Sequence, residues 1–143
     1  MRNRQYAALP YRFDGDGNIE VLLVTSLRTR RWIIPKGWPI KGLKPATSAA
    51  REAFEEAGLV GKVAQRPVGR YAYPKLCEKT DRSTDCDVIV FPLLVKRQLT
   101  IWPEVGQREA QWLSAEKASK TVADQGLGHV IHAAVDHLRK AAS

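Results

Sequence analysis

Apolar and polar residues alternate along this chain in blocks that predict strands first and helices between and after them. Residues 5–13 read as a strand, with Pro10 placing it at a sheet edge or a bulge. The turn-forming run Asp14-Gly15-Asp16-Gly17-Asn18 separates it from a second strand at residues 20–25, so a hairpin is expected. Val21 to Val24 is apolar without interruption, as in a central strand covered on both faces. Residues 31–34 form a short extended piece that stops at Pro35. Residues 35–45 hold three prolines and two glycines and read as an ordered loop.

An alanine-rich helix is predicted over 47–57, opened by Pro45 and closed by Gly58. Residues 60–73 and 86–97 read as strands, joined by a polar, exposed loop at 74–85. A short strand at 109–113 leads to Ser114, placed to start a helix. The last helix carries Leu127, Val130, Ile131, Ala134, Val135 and Leu138 at the three-to-four spacing of one buried face. Strands with helices on two sides imply an α/β sandwich.

At 143 residues the chain is expected to form a single domain spanning 1–143. Hydrophobic residues at 44% and charged residues at 27% match a globular protein rather than a disordered one. No run is long enough for a membrane span, and Cys77 and Cys86 match no disulfide scaffold or zinc pattern, so free thiols and a cytoplasmic location are expected. Twenty-three Lys and Arg against fifteen Asp and Glu give a net charge of +8, which favours anionic partners. The basic residues are dispersed, with no basic amphipathic helix, so a membrane role is the weakest of the three anionic classes and nucleic acid or a polyphosphate remains.

Glu52, Glu55 and Glu56 change the picture. Their i, i+3, i+4 spacing puts three carboxylates on one face of the helix, opposite Ala50, Phe54 and Ala57. Such like charges raise one another's pKa values unless cations compensate. A solvated acidic face is the plain alternative, with Arg51 pairing locally. A hard divalent ion is the chemical one, since magnesium binds one or two carboxylates together with substrate phosphates.

The surrounding residues decide between them. Gly37, Leu43 and the run Arg51-Glu52-Ala53-Phe54-Glu55-Glu56-Ala57-Gly58-Leu59 resemble the Nudix box, the 23-residue signature of the Nudix hydrolases. Gly37, Arg51, Glu52, Glu55, Glu56, Gly58 and Leu59 match in register. Leu43 stands where the pattern has its first glutamate, and Ala53 where it has a larger aliphatic residue. Ser26-Leu27-Arg28, Arg31 to Gly37 and Arg108 to Leu113 further resemble the branch that cleaves diphosphoinositol and diadenosine polyphosphates.

The resemblance implies an α/β/α sandwich around a mixed sheet and a pyrophosphohydrolase using magnesium, with manganese as a substitute. By similarity, Glu52 and Glu56 are metal ligands, joined by a backbone carbonyl near Lys36 or Gly37, and Glu55 activates water. Arg51 orients a glutamate or braces the loop, and Ser26, Arg28 and Lys36 contact phosphate. Arg30 and Arg31 are further phosphate candidates, as are Lys75, Lys79 and Arg82, whose plainer role is loop solubility. One of Asp85, Asp87, Glu104 and Glu109 could supply a further ligand or base. Trp32 and Trp112 read as packing residues, and His129 and His132 as helix-surface residues. The implied substrate is a small-molecule nucleoside or inositol polyphosphate, with diadenosine polyphosphate leading. An RNA 5′ end and a non-catalytic binding module, the latter raised by Leu43, are the rivals.

Overall fold

The computed structural model describes residues 3–77 and 82–142, with the side chains of 75–77 and 82–84 left aside. In chain order the elements are β1 (Asn3–Phe13), β2 (Ile19–Thr25), β3 (Trp32–Ile33), β4 (Lys36–Gly37), α1 (Pro45–Ala57), β5 (Leu59–Val63), β6 (Gly69–Cys77), β7 (Arg82–Gln98), β8 (Ala110–Ser114), α2 (Ala115–Thr121) and α3 (Gln125–Ala142).

The strands form one mixed sheet. Its spine runs β3-β2-β1-β7-β5, with β4 on β1, β6 on β7 and β8 on β2. β1 and β7 pair in parallel, and the other pairs are antiparallel. Strand alternation splits the core in two. Ala7, Leu9, Val21, Leu23, Val88 and Val90 face α2 and α3, whose Ala118, Leu127, Val130, Ile131, Ala134 and Val135 cover them. Ala8, Leu22, Val24, Phe91 and Leu93 face α1, which covers them with Ala46, Ala49, Ala53 and Ala57. The expected sandwich is therefore present: helices on both faces of a mixed sheet.

Several expectations are corrected. Pro10 lies buried inside the sheet, not at an edge. β1 changes partner around it: Tyr6 and Ala7 pair with β4, whereas Tyr11 to Phe13 pair with β2. The N–H that proline lacks thus falls between two ladders. Residues 60–73 are two strands, β5 and β6, separated at 64–68. The proposed 74–85 loop is mostly hairpin, with β6 and β7 paired as far as Cys77 and Arg82. Lys79 lies outside the described residues, as do the side chains of Lys75, Cys77 and Arg82. Within 35–45, Lys36–Gly37 is a short strand, and the helix begins at Pro45 rather than Thr47. Among the described residues no helix is long and apolar enough to cross a membrane.

α1 owes little to its N-terminus. Lys44 makes no side-chain cap, and the first turn has no acidic residue. Pro45 pre-sets the first turn, and Gly58, at φ 69°, closes the last with its N–H on the carbonyls of Ala53 and Phe54. A side chain at Gly58 would also meet the Trp102 ring at 2.6 Å, which packs against the helix end. The rest of the helix's stability comes from its alanine stripe. Small residues bring its backbone close to the sheet, and that closeness shapes the site.

Candidate active site

The buried stripe of α1 is Ala46, Ala49, Ala53 and Ala57, so the apolar face includes Ala49, with Ala50 and Phe54 only half-buried. In a 3.6-residue turn Glu56 falls beside that stripe. It is 5% exposed, so the acidic face is not simply a solvated one. Glu52 and Glu55 are half-buried next to it. Gly37 of β4 lies against the Glu52 carboxyl, and any side chain at residue 37 would run into it. The strand that carries Lys36 and Gly37 is thereby pressed onto the acidic face.

A second segment closes the site from the other side. The Glu104 N–H donates to the Glu55 carbonyl at 3.1 Å, anchoring residues 104–108 to the end of α1. Arg108, nearly buried, donates from Nε to Glu104 Oε1 at 3.0 Å and from Nη1 to the Thr25 carbonyl at 3.0 Å. Its Nη1 also lies 3.6 Å from Glu56 Oε1, close enough for charge attraction but too far for a hydrogen bond. Of the four carboxylates outside the box, Glu104 is thus the one whose charge is felt at Glu52 and Glu56. Asp87 faces Arg70 at 3.7 Å, and Asp85 and Glu109 are exposed.

These surroundings set the protonation. Burial raises the Glu56 carboxyl to about 8; Arg108 acts in the opposite direction, and Glu52 and Glu104 add to the rise. Glu52 rises to about 7, mainly through burial and then through Glu55 and Glu104. Lys36 is among the cations that offset the charge on Glu56.

Whether a divalent ion suits this set can be judged from Glu56. Its Oε1 is buried and accepts no hydrogen bond, an unused acceptor that buried carboxylates rarely leave. Among the described residues no three His, Cys, Asp or Glu side chains form a site able to hold a metal ion. Two carboxylates with an unused oxygen fit instead a cation that completes its shell with carbonyl, water and phosphate oxygens, as magnesium does.

Arg51 is placed elsewhere. It is exposed on α1 and has no side-chain partner among the described residues. Leu43, half-buried, stands where the box pattern puts a glutamate, so that carboxylate is missing as a partner for Arg51. The arginine that reaches the glutamates is Arg108, which the sequence offered only as part of a downstream motif.

The phosphate candidates lie on β4 and on the turn between β2 and β3. Ser26 closes the turn from β2 to β3: its hydroxyl bonds that of Thr29 at 2.8 Å and accepts the Arg31 N–H at 3.1 Å. Arg28 is exposed on that turn. Arg30 is exposed as well, and its Nη1 donates to the Gln107 carbonyl at 2.9 Å. Lys36 sits 4.8 Å from the Tyr73 ring centroid and 3.5 Å from its hydroxyl, which donates to Gln5 Oε1 at 2.7 Å.

Beside Lys36 opens a cavity of about 330 Å³. Trp32, Ile33, Tyr71, Tyr73 and Leu127 give it an apolar wall, Ser26, Thr29 and Arg31 line it as well, and Asp124 is its one carboxylate among the described residues. Trp32 therefore lines a pocket besides packing. Trp112 is covered by the Arg12 guanidinium, 4.1 Å from its ring centroid. His129 and His132 are exposed on α3. Tyr71 and Tyr73 were missed from sequence; their spacing of two on one strand, which puts both rings on one face, was the available signal.

Comparison with known proteins bears on the whole chain. The NUDIX domain family model matches residues 2–134. "Nudix hydrolase 18, mitochondrial" of Arabidopsis thaliana is 30% identical over 144 residues, covering 96% of this chain and 78% of that one. The diphosphoinositol polyphosphate phosphohydrolase 3-beta of Bos taurus is 34% identical over 114 residues, covering 77% and 64%. Among solved structures, a C. elegans Ap4A hydrolase superposes with a TM-score of 0.70 at 18% identity, covering 96% of this chain and 99% of that one, a likeness of fold. The domain match, the relatives and the glutamates gathered on α1 agree that this chain belongs to the Nudix hydrolases, enzymes that act on phosphoanhydride bonds with the help of a divalent metal ion.

Proposed function

We propose that the protein is a magnesium-dependent pyrophosphohydrolase of nucleoside polyphosphates, with diadenosine polyphosphates as the leading substrates and manganese able to replace magnesium. The observation that carries this reading is the unsatisfied Oε1 of buried Glu56, beside Glu52 and within reach of Glu104's charge. Glu52 and Glu56 hold the ion, with the Gly37 backbone carbonyl as a further ligand. The bound ion supplies a Lewis acid against the attacked phosphorus. Glu55 accepts the proton of the water that adds to that phosphorus. Lys36, Ser26 and Arg28 hold the phosphates, and Lys36 offsets charge that develops as the anhydride breaks.

The nucleoside preference rests on the cavity. Flat apolar walls suit a base, and Asp124 can accept from an amino or hydroxyl donor. A ring covered in phosphates would be repelled by that carboxylate. A diphosphoinositol polyphosphate is the second reading, favoured by the +8 charge and by the activity for which the bovine relative is named.

A substrate panel tests both. Diadenosine polyphosphates, diphosphoinositols, nucleotide sugars, nucleoside triphosphates and triphosphorylated RNA are each incubated with and without magnesium. Turnover of the dinucleotides that requires magnesium is expected. Preferred cleavage of diphosphoinositols replaces the first reading with the second. Preferred RNA, with affinity falling steeply in salt, overturns the small-molecule assignment. Metal-independent binding without turnover overturns the catalytic one.

A further inference from the structure

The turn that bears the phosphate residues and the segment that completes the acidic site are far apart in sequence; Thr25 joins them at the base of the turn, and Arg30 adds a tie from within it. Arg30 is the only residue other than glycine with positive φ among the described residues, at 54°. A side chain is disfavoured in that region, and nothing in the turn's own hydrogen bonds requires an arginine there. The Arg30 N–H returns to the Ser26 carbonyl at 3.2 Å, which any residue could do. What arginine adds is its reach. Nη1 donates to the Gln107 carbonyl at 2.9 Å and lies 3.5 Å from Thr25 Oγ1.

Gln107 belongs to the segment anchored on the active helix. Its N–H donates to the Glu104 carbonyl at 3.0 Å, and its neighbour Arg108 contacts Glu104, Glu56 and the Thr25 carbonyl. Thr25 is shared by both sides: its Oγ1 also accepts the Glu109 N–H at 3.0 Å. Loosening Arg30 would remove the tie between the turn itself and Gln107, leaving Thr25's bonds to Glu109 and Arg108 at the base of the turn.

We propose that Arg30 is a positioning residue, which fixes the register between the phosphate-holding turn and the Glu104–Arg108 segment and so determines which phosphorus of a polyphosphate faces the glutamates. This rests on the pyrophosphohydrolase reading above. Arg30 touches no substrate in this role; it acts through Ser26 and Arg28 on one side and through Arg108 on the other.

Arg30→Gly and Arg30→Lys in the full chain separate the possibilities. Glycine accepts the left-handed backbone and removes the guanidinium; lysine keeps a cationic donor able to reach the Gln107 carbonyl. On the protein without substrate, hydrogen exchange at the amides of Glu104, Gln107 and Glu109 is expected to quicken about fivefold in Arg30→Gly, the factor of one net hydrogen bond, and to return toward native in Arg30→Lys. With diadenosine tetraphosphate and magnesium, the native protein is expected to give one product pair, either ATP with AMP or two ADP. Arg30→Gly is expected to give both pairs, with kcat about tenfold lower and KM within twofold, and Arg30→Lys to restore the single pair. Unchanged exchange in Arg30→Gly overturns the proposal whatever the activity. So does faster exchange with native products and native kcat. A native protein that turns over no polyphosphate defeats the pyrophosphohydrolase reading alone, and the exchange result still decides whether Arg30 joins the two segments.

Discussion

Over one face of the sheet, α3 sets Leu127, Val130, Ile131 and Val135 into Leu9, Val21, Leu23 and Val90. Over the other, α1 offers four alanines and a buried glutamate. The first face is packed with bulk, and each of its aliphatic side chains adds transfer free energy. The second gives up that bulk for proximity, which buries Glu56 and sets Gly37 against Glu52. Its half-buried Glu52 and buried Glu56, raised to about 7 and about 8, are costly to ionise in the folded protein without a cation. The two faces thus divide the work: one supplies stability, and the other spends some of it on a site.

Substitutions can break that division. Glu56→Gln is expected to lower kcat at least about a thousandfold, since it removes a ligand of the ion that stabilises the transition state. Its melting temperature should hold or rise, because a neutral amide replaces a buried acid. Steady-state kinetics beside thermal unfolding check this, and a rate within tenfold of native would take Glu56 out of the ion's shell. Ile131→Ala should do the reverse. It leaves a cavity under α3 and is expected to cost about 2–5 kcal/mol in denaturant unfolding, with kcat at 25 °C unchanged. A parallel fall in kcat would mean that the faces are not separate.

Gly37→Ala probes the contact between β4 and Glu52. Its methyl displaces the Glu52 carboxyl, and about a hundredfold loss of kcat is expected with little change in the circular-dichroism melt. The pH dependence of the ion-free protein probes the two raised carboxyls themselves. Unfolded glutamates release their protons near 4.5, whereas Glu52 and Glu56 in the fold keep them to about 7 and about 8. Between those values the folded state binds more protons than the unfolded one, so stability falls as pH rises. Thermal unfolding in a chelator should therefore give a declining melting temperature from pH 5 to 8.5. Magnesium should flatten the decline, because it binds the deprotonated carboxylates.

Much of this was legible in the chain because its signals are local. The hairpin at residues 14–18, the α3 stripe, the register from Gly37 to Leu59 and Gly58's cap all lie within a few turns of one element. The errors share a cause. Residues 74–85 read as a loop because hydropathy reports burial, while the β6–β7 ladder runs beyond β1, whose pairing on β7 starts at Cys86. Pro10 read as an edge or a bulge because its pairing with Leu93 of β7, and the change from β4 to β2 on its other side, are made by strands that only the fold brings to β1's flanks. Arg51 and Arg108 exchanged importance for the same reason: Arg51 adjoins the glutamates in sequence, but the 104–108 segment reaches them in space. Glu104 was one of four equal candidates until its N–H met the Glu55 carbonyl.

The central claim concerns where a divalent ion sits. Crystals soaked with manganese and a methylene-bridged diadenosine polyphosphate, measured at the manganese absorption edge, test it directly. An anomalous peak about 2.1–2.2 Å from carboxylate oxygens of both Glu52 and Glu56, with a phosphate oxygen in the same shell, is the result predicted. A peak bound only by phosphates, with Glu56 drawn into a hydrogen bond with Arg108, would contradict it.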